Sequence, residues 1–404
     1  MLIFGTHDEQ TLAQLEDVAT RARRVALMAD GHVGYVMPIG GVAAYRNQVS
    51  VVGVGFDIAC GNCAIRTHLR AADFSRQQLL EFADEIADTI SFGLGRTNKS
   101  ADAPVDHPLF ASSAWVALPD HDRERLRDIA RSQLGTVGSG NHYVDVFADA
   151  ADDHVWVGVH FGSRQLGHAI ASGFMALGQG MKWGERVPEK EVLFDLDSAL
   201  GERYWAAMKL AGQYAYAGRE YVAHKVAEIL GGEKLDLVHN HHNYAWEEQH
   251  SGEDLIVVRK GATPAFPGQR GFIGGSMGDD AVIVAGYESP PGVVDDPIRA
   301  LQQQALFSTV HGAGRIMSRT AAKGQRRWGR GPRKGGAITR QMMHEWISAR
   351  GIIVRGGDVD ESPHVYRRLE EVLRDQRGTV VVQHTLRPLI VAMAGPDVVD
   401  PFKD

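Results

Sequence analysis

The chain has 404 residues, a formal net charge of -7 and only two cysteines, Cys60 and Cys63, which excludes a disulfide-stapled scaffold. Hydrophobic residues at 44% and charged residues at 23% exclude disorder and a fibre, and no apolar run reaches the roughly 18 residues that a membrane span needs. The acidic balance excludes a uniformly basic nucleic-acid binder, so any such site must be a local patch.

Met1–Gln10 carries Asp8 and Glu9 and lacks a basic or long apolar leader, so no secretory signal, no membrane and a cytoplasmic setting are expected. Residues 11–28 are expected to form an amphipathic helix, with Leu12, Leu15, Val18, Ala19 and Ala22 at helical spacing. Val49–Val54 reads as a strand, and Ala64–Leu69 as another after a tight Gly61-Asn62 turn. Arg76–Ile90 and Arg123–Leu134 are helical by period, Val155–Val159 is a short buried strand running into His160, and a long helix runs from Ser198 to about Leu230. Asp254–Arg259 and Ala281–Ala285 read as strands, Ile338–Arg350 and Val365–Arg377 as helices, and Thr379–Val382 and Leu389–Ala392 as two closing strands. Helices and strands mix without a βαβ cadence, so an α+β fold with mixed sheets is expected. Glycine-rich motifs spread from Asp30 to Gly395 predict one catalytic unit over residues 1–404 around a deep cleft.

The 46 glycines are about 11% of the chain against a typical ~7%, and many lie in short motifs that let backbone approach a ligand. Cys60-Gly61-Asn62-Cys63 is a CxxC, open to three readings. A zinc knuckle wants a second CxxC, and a redox pair wants a helix opening at its first cysteine. The third reading makes Cys60 a lone metal ligand beside Asp57. It needs imidazoles, and three of the 18 histidines stand in suitable company: His142 in Gly138-Ser139-Gly140-Asn141-His142, His160 at a strand end, and His242 in His239-Asn240-His241-His242-Asn243. Most histidines are surface or hydrogen-bonded core residues. Thiolate and imidazole ligands by themselves rank zinc first.

A second constellation is His311-Gly312-Ala313-Gly314-Arg315 with Ser318-Arg319. Small residues after the histidine leave its ring open to a bulky electrophile, and arginines neutralise phosphate oxygens. Gly274-Gly275-Ser276-Met277-Gly278 and Arg259-Lys260-Gly261-Ala262 add backbone donors and cations that suit phosphates. No P-loop occurs. Lys323 to Lys334 gathers Lys323, Arg326, Arg327, Arg330, Arg333 and Lys334 around Trp328, either a solvated loop or an RNA patch.

These motifs, with Asp30-Gly31-His32, Pro38 to Val42, Gly55 to Gly61, His160 to Arg164, Arg259 to Thr263 and Asp360-Glu361-Ser362-Pro363, occur in an order that resembles the RtcB RNA ligase family across nearly the whole chain. The resemblance implies that Cys60 bridges two Mn²⁺ ions, one completed by His160 and His242 and the other by Asp57 and His142. It implies that His311 attacks the α-phosphate of GTP. Asn141, His242, Asn243, Lys260, the Gly275, Ser276, Met277 and Gly278 turn, Gly312, Ala313, Gly314, Arg315, Ser318 and Met393 would border the nucleotide. Arg164, Arg319, Arg326, Arg327 and Trp328 are candidates for RNA contact. The implied reaction joins an RNA 3'-phosphate or 2',3'-cyclic phosphate to a 5'-hydroxyl, in RNA repair or tRNA splicing, with an archease-type activator as a further expected partner.

The chain departs from that pattern in a few places. Asp145 replaces the glutamate that usually follows the Asn-His pair, and Met393 falls where the family has a lysine that contacts guanine. A basic insertion at about 323–336 and an extension at about 395–404 are additions. Two other readings of the chain are a non-ligating RNA-binding paralogue and a nucleotide-independent cyclic phosphodiesterase.

Overall fold

The computed structural model describes residues 1–293, 295–326, 333–396 and 398, with backbone alone at Arg326 and Arg333. Arg327 and Trp328, the Arg326 side chain and most of the 395–404 extension lie outside the described residues.

Two sheets organise the α+β fold. The larger has eight strands, of which seven run antiparallel in the spatial order Arg270–Ile273, Ala281–Gly286, Val380–Met393, Tyr143–Asp149, His154–Phe161, Gly61–Arg70 and Lys234–His241. Ile353–Arg355 adds in parallel beside Val380–Met393. The sheet curls until its ends meet: the Phe272 N–H donates to Asn240 Oδ1 (3.1 Å), and Asn62 Nδ2 donates to the Phe272 carbonyl (2.8 Å). The result is a nearly closed barrel.

Strand alternation then sorts the side chains. Val155, Val157 and Val159, with Ile65, Val144 and Val146, pack outward against Val222, Ala223 and Val226 of the helix Ala199–Ile229. Phe147, Trp156, Phe272, Leu386 and Val391 fill the inside, each large side chain contributing roughly 1.5–3 kcal/mol by burial. Gly158 leaves room for them, since a Cβ there would lie 2.8 Å from both the Phe147 and Phe272 rings. The same parity turns Asn62, Tyr143, Asp145, His160 and Met393 inward at one rim, where they border a cavity.

The smaller sheet runs Leu2–Ile3, Arg24–His32, Ile39–Tyr45, Glu253–Lys260 and Asn243–His250. The chain passes from one sheet to the other at His242, between Lys234–His241 and Asn243–His250. The cavity therefore opens where the sheets diverge.

Several local expectations change. The first helix is Glu9–Ala19, capped by the Asp8 side chain on Thr11 N, and Arg24–His32 is a strand. Val25 to Ala29 is buried throughout, and a continuous apolar run does not distinguish a helix from a doubly covered strand. Gln48–Ser50 is a strand, but Ser50 accepts from Gly53 N and starts the short helix Val51–Val54. Gly61 and Asn62 form no turn, pairing instead with Phe161 and His160 on one side and His241 and Asn240 on the other. Only Leu369–Asp375 of the expected 365–377 helix is α-helical, and the two closing strands are one, Val380–Met393. The helices Arg76–Thr89, Asp120–Gln133, Ala199–Ile229 and Arg340–Ala349 stand where their periodicity placed them. No helix of the described residues is long and apolar enough to cross a membrane.

Candidate active site

Five side chains from four strand ends converge at the rim. Asp57 to Cys60 forms a tight approach to Gly61–Arg70, with Cys60 N bonded to Asp57 O (3.0 Å) and Ala59 in left-handed backbone at φ 60°. His142 precedes Tyr143–Asp149, His160 closes His154–Phe161, and His242 sits at the sheet switch. Cys60 Sγ lies 3.3 Å from His160 Nε2 and 3.6 Å from His142 Nε2. His142 Nε2 is 3.0 Å from Asp57 Oδ2, and His160 Nε2 is 3.3 Å from His242 Nε2. The donors fall into two groups, Cys60/His160/His242 and Asp57/Cys60/His142, each with its donor atoms within 4.8 Å of one another and with the thiol common to both.

The donor chemistry fits a pair of divalent cations. His160 Nδ1 lies 2.9 Å from the Asn141 carbonyl, so the ring proton belongs there and the Nε2 lone pair turns to the cluster. Burial holds His160 down at about 3 and His242 well below the usual imidazole range, keeping both neutral as ligands must be. Although burial opposes it, His142 and Cys60 hold the Asp57 carboxyl below its ordinary range. Burial, then the Asp57 charge, pushes the Cys60 thiol well up, a state that a coordinated cation reverses. Lone pairs crowded at 3.0–3.6 Å with few protons between them repel one another unless a cation lies among them.

His311 follows the strand Ser308–Val310, its ring centroid 4.8 Å from that of His242. Its Nδ1 lies 2.6 Å from Asp30 Oδ2, a close ion-pair contact rather than an aligned hydrogen bond, and that fully buried carboxylate accepts from the backbone N–H of His311 (3.1 Å) and Gly312 (3.3 Å). With Nδ1 turned to the Asp30 carboxylate, Nε2 is the nitrogen left to act as a nucleophile. Asp30 was not among the expected site residues, although its Asp30-Gly31-His32 motif was in view.

Both groups face one cavity of about 530 Å³. Asn141, Asn243, Gly275, Ser276, Met277, His311 to Arg315, Ser318 and Met393 line it as expected, and Tyr143, Asp145, Glu361 and Tyr366 join them. Asn243 also straps the site, accepting from Gly261 N (2.7 Å) and donating to the Asp57 carbonyl (3.4 Å). Met393 pairs in register with Tyr143, and Val391 with Asp145. Tyr143 OH and Asp145 Oδ1 are buried without a hydrogen-bond partner, and burial alone pushes the Asp145 carboxyl well above its ordinary range.

The cations need more correction. Lys260 does not line the cavity; its buried ammonium donates to the carbonyls of Tyr35 (2.6 Å) and Val52 (3.3 Å), and burial brings it down to about 7. Gly278 also stands back from the cavity, its carbonyl accepting from Trp346 Nε1 (3.1 Å). Arg164 uses donors on Thr136 Oγ1 (3.2 Å) and the Gly93 carbonyl (3.2 Å). Arg319 is paired with Asp360 (3.0 Å) and Glu361, and Lys323 with Asp358 (2.8 Å) and Asp360 (2.9 Å). Arg315 lines the cavity but donates to Tyr366 OH (3.0 Å) and lies 3.7 Å from Glu361. Among the described residues, carboxylates therefore already neutralise Arg319 and Lys323 and lie beside Arg315.

A family profile described as tRNA-splicing ligase RtcB matches residues 10–394. The tRNA-splicing ligase RtcB of Thermococcus kodakarensis is 29% identical, over 97% of this chain and 92% of that protein. The RNA-splicing ligase RtcB of Escherichia coli K12 is 29% identical over 91% and 89%, and the Archaeoglobus fulgidus tRNA-splicing ligase RtcB is 30% identical over 91% and 86%.

Proposed function

The chain belongs to the RtcB family of RNA ligases, and we propose that it joins RNA 3'-phosphate or cyclic phosphate ends to 5'-hydroxyl ends through a guanylylated His311. The observation that carries this reading is the Asp30–His311 pair, which shares one cavity with the Cys60-centred donor cluster. Asp57, Cys60, His142, His160 and His242 would hold two divalent ions, Mn²⁺ in this reading. Once bound, the ions supply positive charge to the transferring phosphates and lower the pKa of an attacking oxygen.

The protein's own groups carry the rest. Asp30 holds the His311 ring with its Nδ1 proton inward, and the Nε2 lone pair attacks the α-phosphorus of GTP as the bond to the β-phosphate breaks and pyrophosphate leaves. His311 then passes GMP to the RNA 3'-phosphate. A phosphate monoester is a poor electrophile until one oxygen becomes a good leaving group, and GMP is that group when the 5'-hydroxyl attacks. The Gly275 to Met277 turn and Ser318 line the cavity in which the nucleotide would sit. Both cysteines are free thiols, which suits a reducing, cytoplasmic setting.

Incubation with α-labelled GTP and Mn²⁺ should give an acid-labile, alkali-stable protein adduct. A non-ligating paralogue or a nucleotide-independent phosphodiesterase would give none.

Nucleobase choice should be looser than in relatives with a lysine at position 393. Met393 is buried beside Met277 in the same apolar cluster and offers neither charge nor donor to guanine O6 and N7. Losing one charged hydrogen bond costs roughly 1.5–3 kcal/mol, so preference for GTP over ATP should fall by about one to two orders of magnitude. Met393→Lys would restore a donor opposite Tyr143, two register positions from Asp145, and sharpen the preference for GTP. The check is adduct formation from each nucleotide in both proteins; strong discrimination in the natural chain, unchanged by the lysine, would place base reading elsewhere.

A further inference from the structure

Behind the metal donors, on the helix side of the barrel, lies a guanidinium that the proposed chemistry does not use. Arg219 is fully buried in the middle of the helix Ala199–Ile229. Its hydrogen bonds run to four neutral acceptors. Nε donates to His239 Nε2 (2.8 Å), Nη2 to His241 Nδ1 (2.8 Å), and Nη1 to the carbonyls of Ala59 (2.8 Å) and Phe161 (2.7 Å). Each histidine must be neutral to offer a lone pair to the guanidinium. Tyr216 closes the nest, its ring 3.8 Å from that of His241 and 5.3 Å from the guanidinium carbon.

The two carbonyls are not arbitrary. Ala59 immediately precedes Cys60, and Phe161 immediately follows His160, the pair whose Sγ and Nε2 stand 3.3 Å apart. Ala59 is also held in the left-handed region, at φ 60°, where an L-residue is strained and persists only if its surroundings fix it. Its N–H is tied to the Asn243 carbonyl (2.7 Å) and its carbonyl to Arg219. Gly61 makes room chiefly for the neighbouring strand and also for the guanidinium, since a Cβ there would lie 2.2 Å from the Asn240 carbonyl oxygen and 3.1 Å from Nη2. One planar fork thus holds the residue before Cys60 and the residue after His160, and it ties both to the His239–His241 segment that leads into the third donor, His242.

From this geometry we infer that Arg219 is a positioning residue for the metal centre, clamping Ala59 and Phe161 so that Cys60, His160 and His242 hold the spacing one cation requires. The inference rests on the metal-centre reading above. An ammonium cannot replace the fork, because it lacks the planar spread that reaches four fixed acceptors. Metal–donor distances tolerate only about 0.2 Å of error, so loosening the clamp should weaken binding at the Cys60/His160/His242 group more than at Asp57/Cys60/His142.

The test is titration of the purified full chain with Co²⁺ alone, following heat and the thiolate-to-cobalt charge-transfer band. The natural chain should take up two equivalents with that band present. In Arg219→Lys, circular dichroism should show the fold retained, while one of the two equivalents binds at least tenfold more weakly and the band loses intensity. If Arg219→Lys does not fold, His239→Leu removes one acceptor farther from the donors, and the same single-equivalent weakening is expected there. A folded variant that binds both equivalents as tightly as the natural chain overturns the clamp. Failure of the natural chain itself to show the charge-transfer band would instead overturn the metal-centre reading, so the two failures are distinguishable.

Discussion

Replacing His311 with alanine is expected to abolish nucleotide labelling of the protein, by more than about 10³-fold, while leaving its fold and metal content unchanged. The ring is partly exposed in the cavity and its removal breaks no buried core. An RNA whose 3' end is already guanylylated should still be sealed by this variant, because the nucleophile has no role after GMP transfer. Undiminished labelling would sink the assignment. Asp30→Asn makes a sharper companion. The amide oxygen can still accept from the backbone N–H of His311 and Gly312, but an amide NH₂ facing Nδ1 favours the tautomer protonated on Nε2. That tautomer has no lone pair where the phosphorus must be attacked. Labelling should fall by roughly 10²- to 10⁴-fold, and an Asp30→Asn protein as active as the natural chain would show that Asp30 does not set the tautomer.

How much of this was legible in the sequence depends on whether a group acts locally or through a distant partner. Asp57 and Cys60 are three residues apart, so their partnership was visible, and the structure has Cys60 among the donor atoms and Cys63 in the hydrophobic core. His160 was readable as a strand-end residue because the apolar run Val155–Val159 leads into it. His142 and His242 stood out only by their Gly-Ser-Gly-Asn-His and His-Asn-His-His-Asn motifs, the strands Tyr143–Asp149, Lys234–His241 and Asn243–His250 beside them not having been expected. Asp30 was not readable, since nothing local in Asp30-Gly31-His32 reveals a histidine 281 positions away. Arg219 sits next to Glu220 in a long helix, where an arginine ordinarily reads as solvated surface. Lys260 was over-read for the converse reason: a cation beside glycines resembles a phosphate ligand until its carbonyl partners are seen, and Arg319, which lines the cavity, shows its carboxylate partners only in the fold. Arg319 is 41 and 42 residues from its partners Asp360 and Glu361. The strand Arg24–His32 was missed because burial on both faces erases the alternation that marks a strand.

Of the two cysteines, only Cys60 should matter to metal. Cys63 pairs in register with Val159 and His239 and belongs with Ile65 and Val157 to the core facing the helix, on the opposite side of the strand from the cavity. It behaves as a small buried hydrophobe, and Cys63→Ala should cost about 1 kcal/mol of stability and leave metal uptake and ligation near normal. Cys60→Ala removes the one donor shared by both groups, so both cations should be lost together rather than one. Two consequences separate this from ordinary destabilisation. The natural chain should melt higher with Mn²⁺ than with chelator, by an amount set by saturation and worth about 2.7 kcal/mol at a hundredfold excess over Kd. Cys60→Ala should melt at one temperature in both conditions, since it has no bound state to stabilise. Metal analysis of the two variants beside the melting curves decides the matter: equal loss of metal in Cys60→Ala and Cys63→Ala would restore the CxxC pair as the functional unit and remove the shared-thiolate centre on which the ligation mechanism depends.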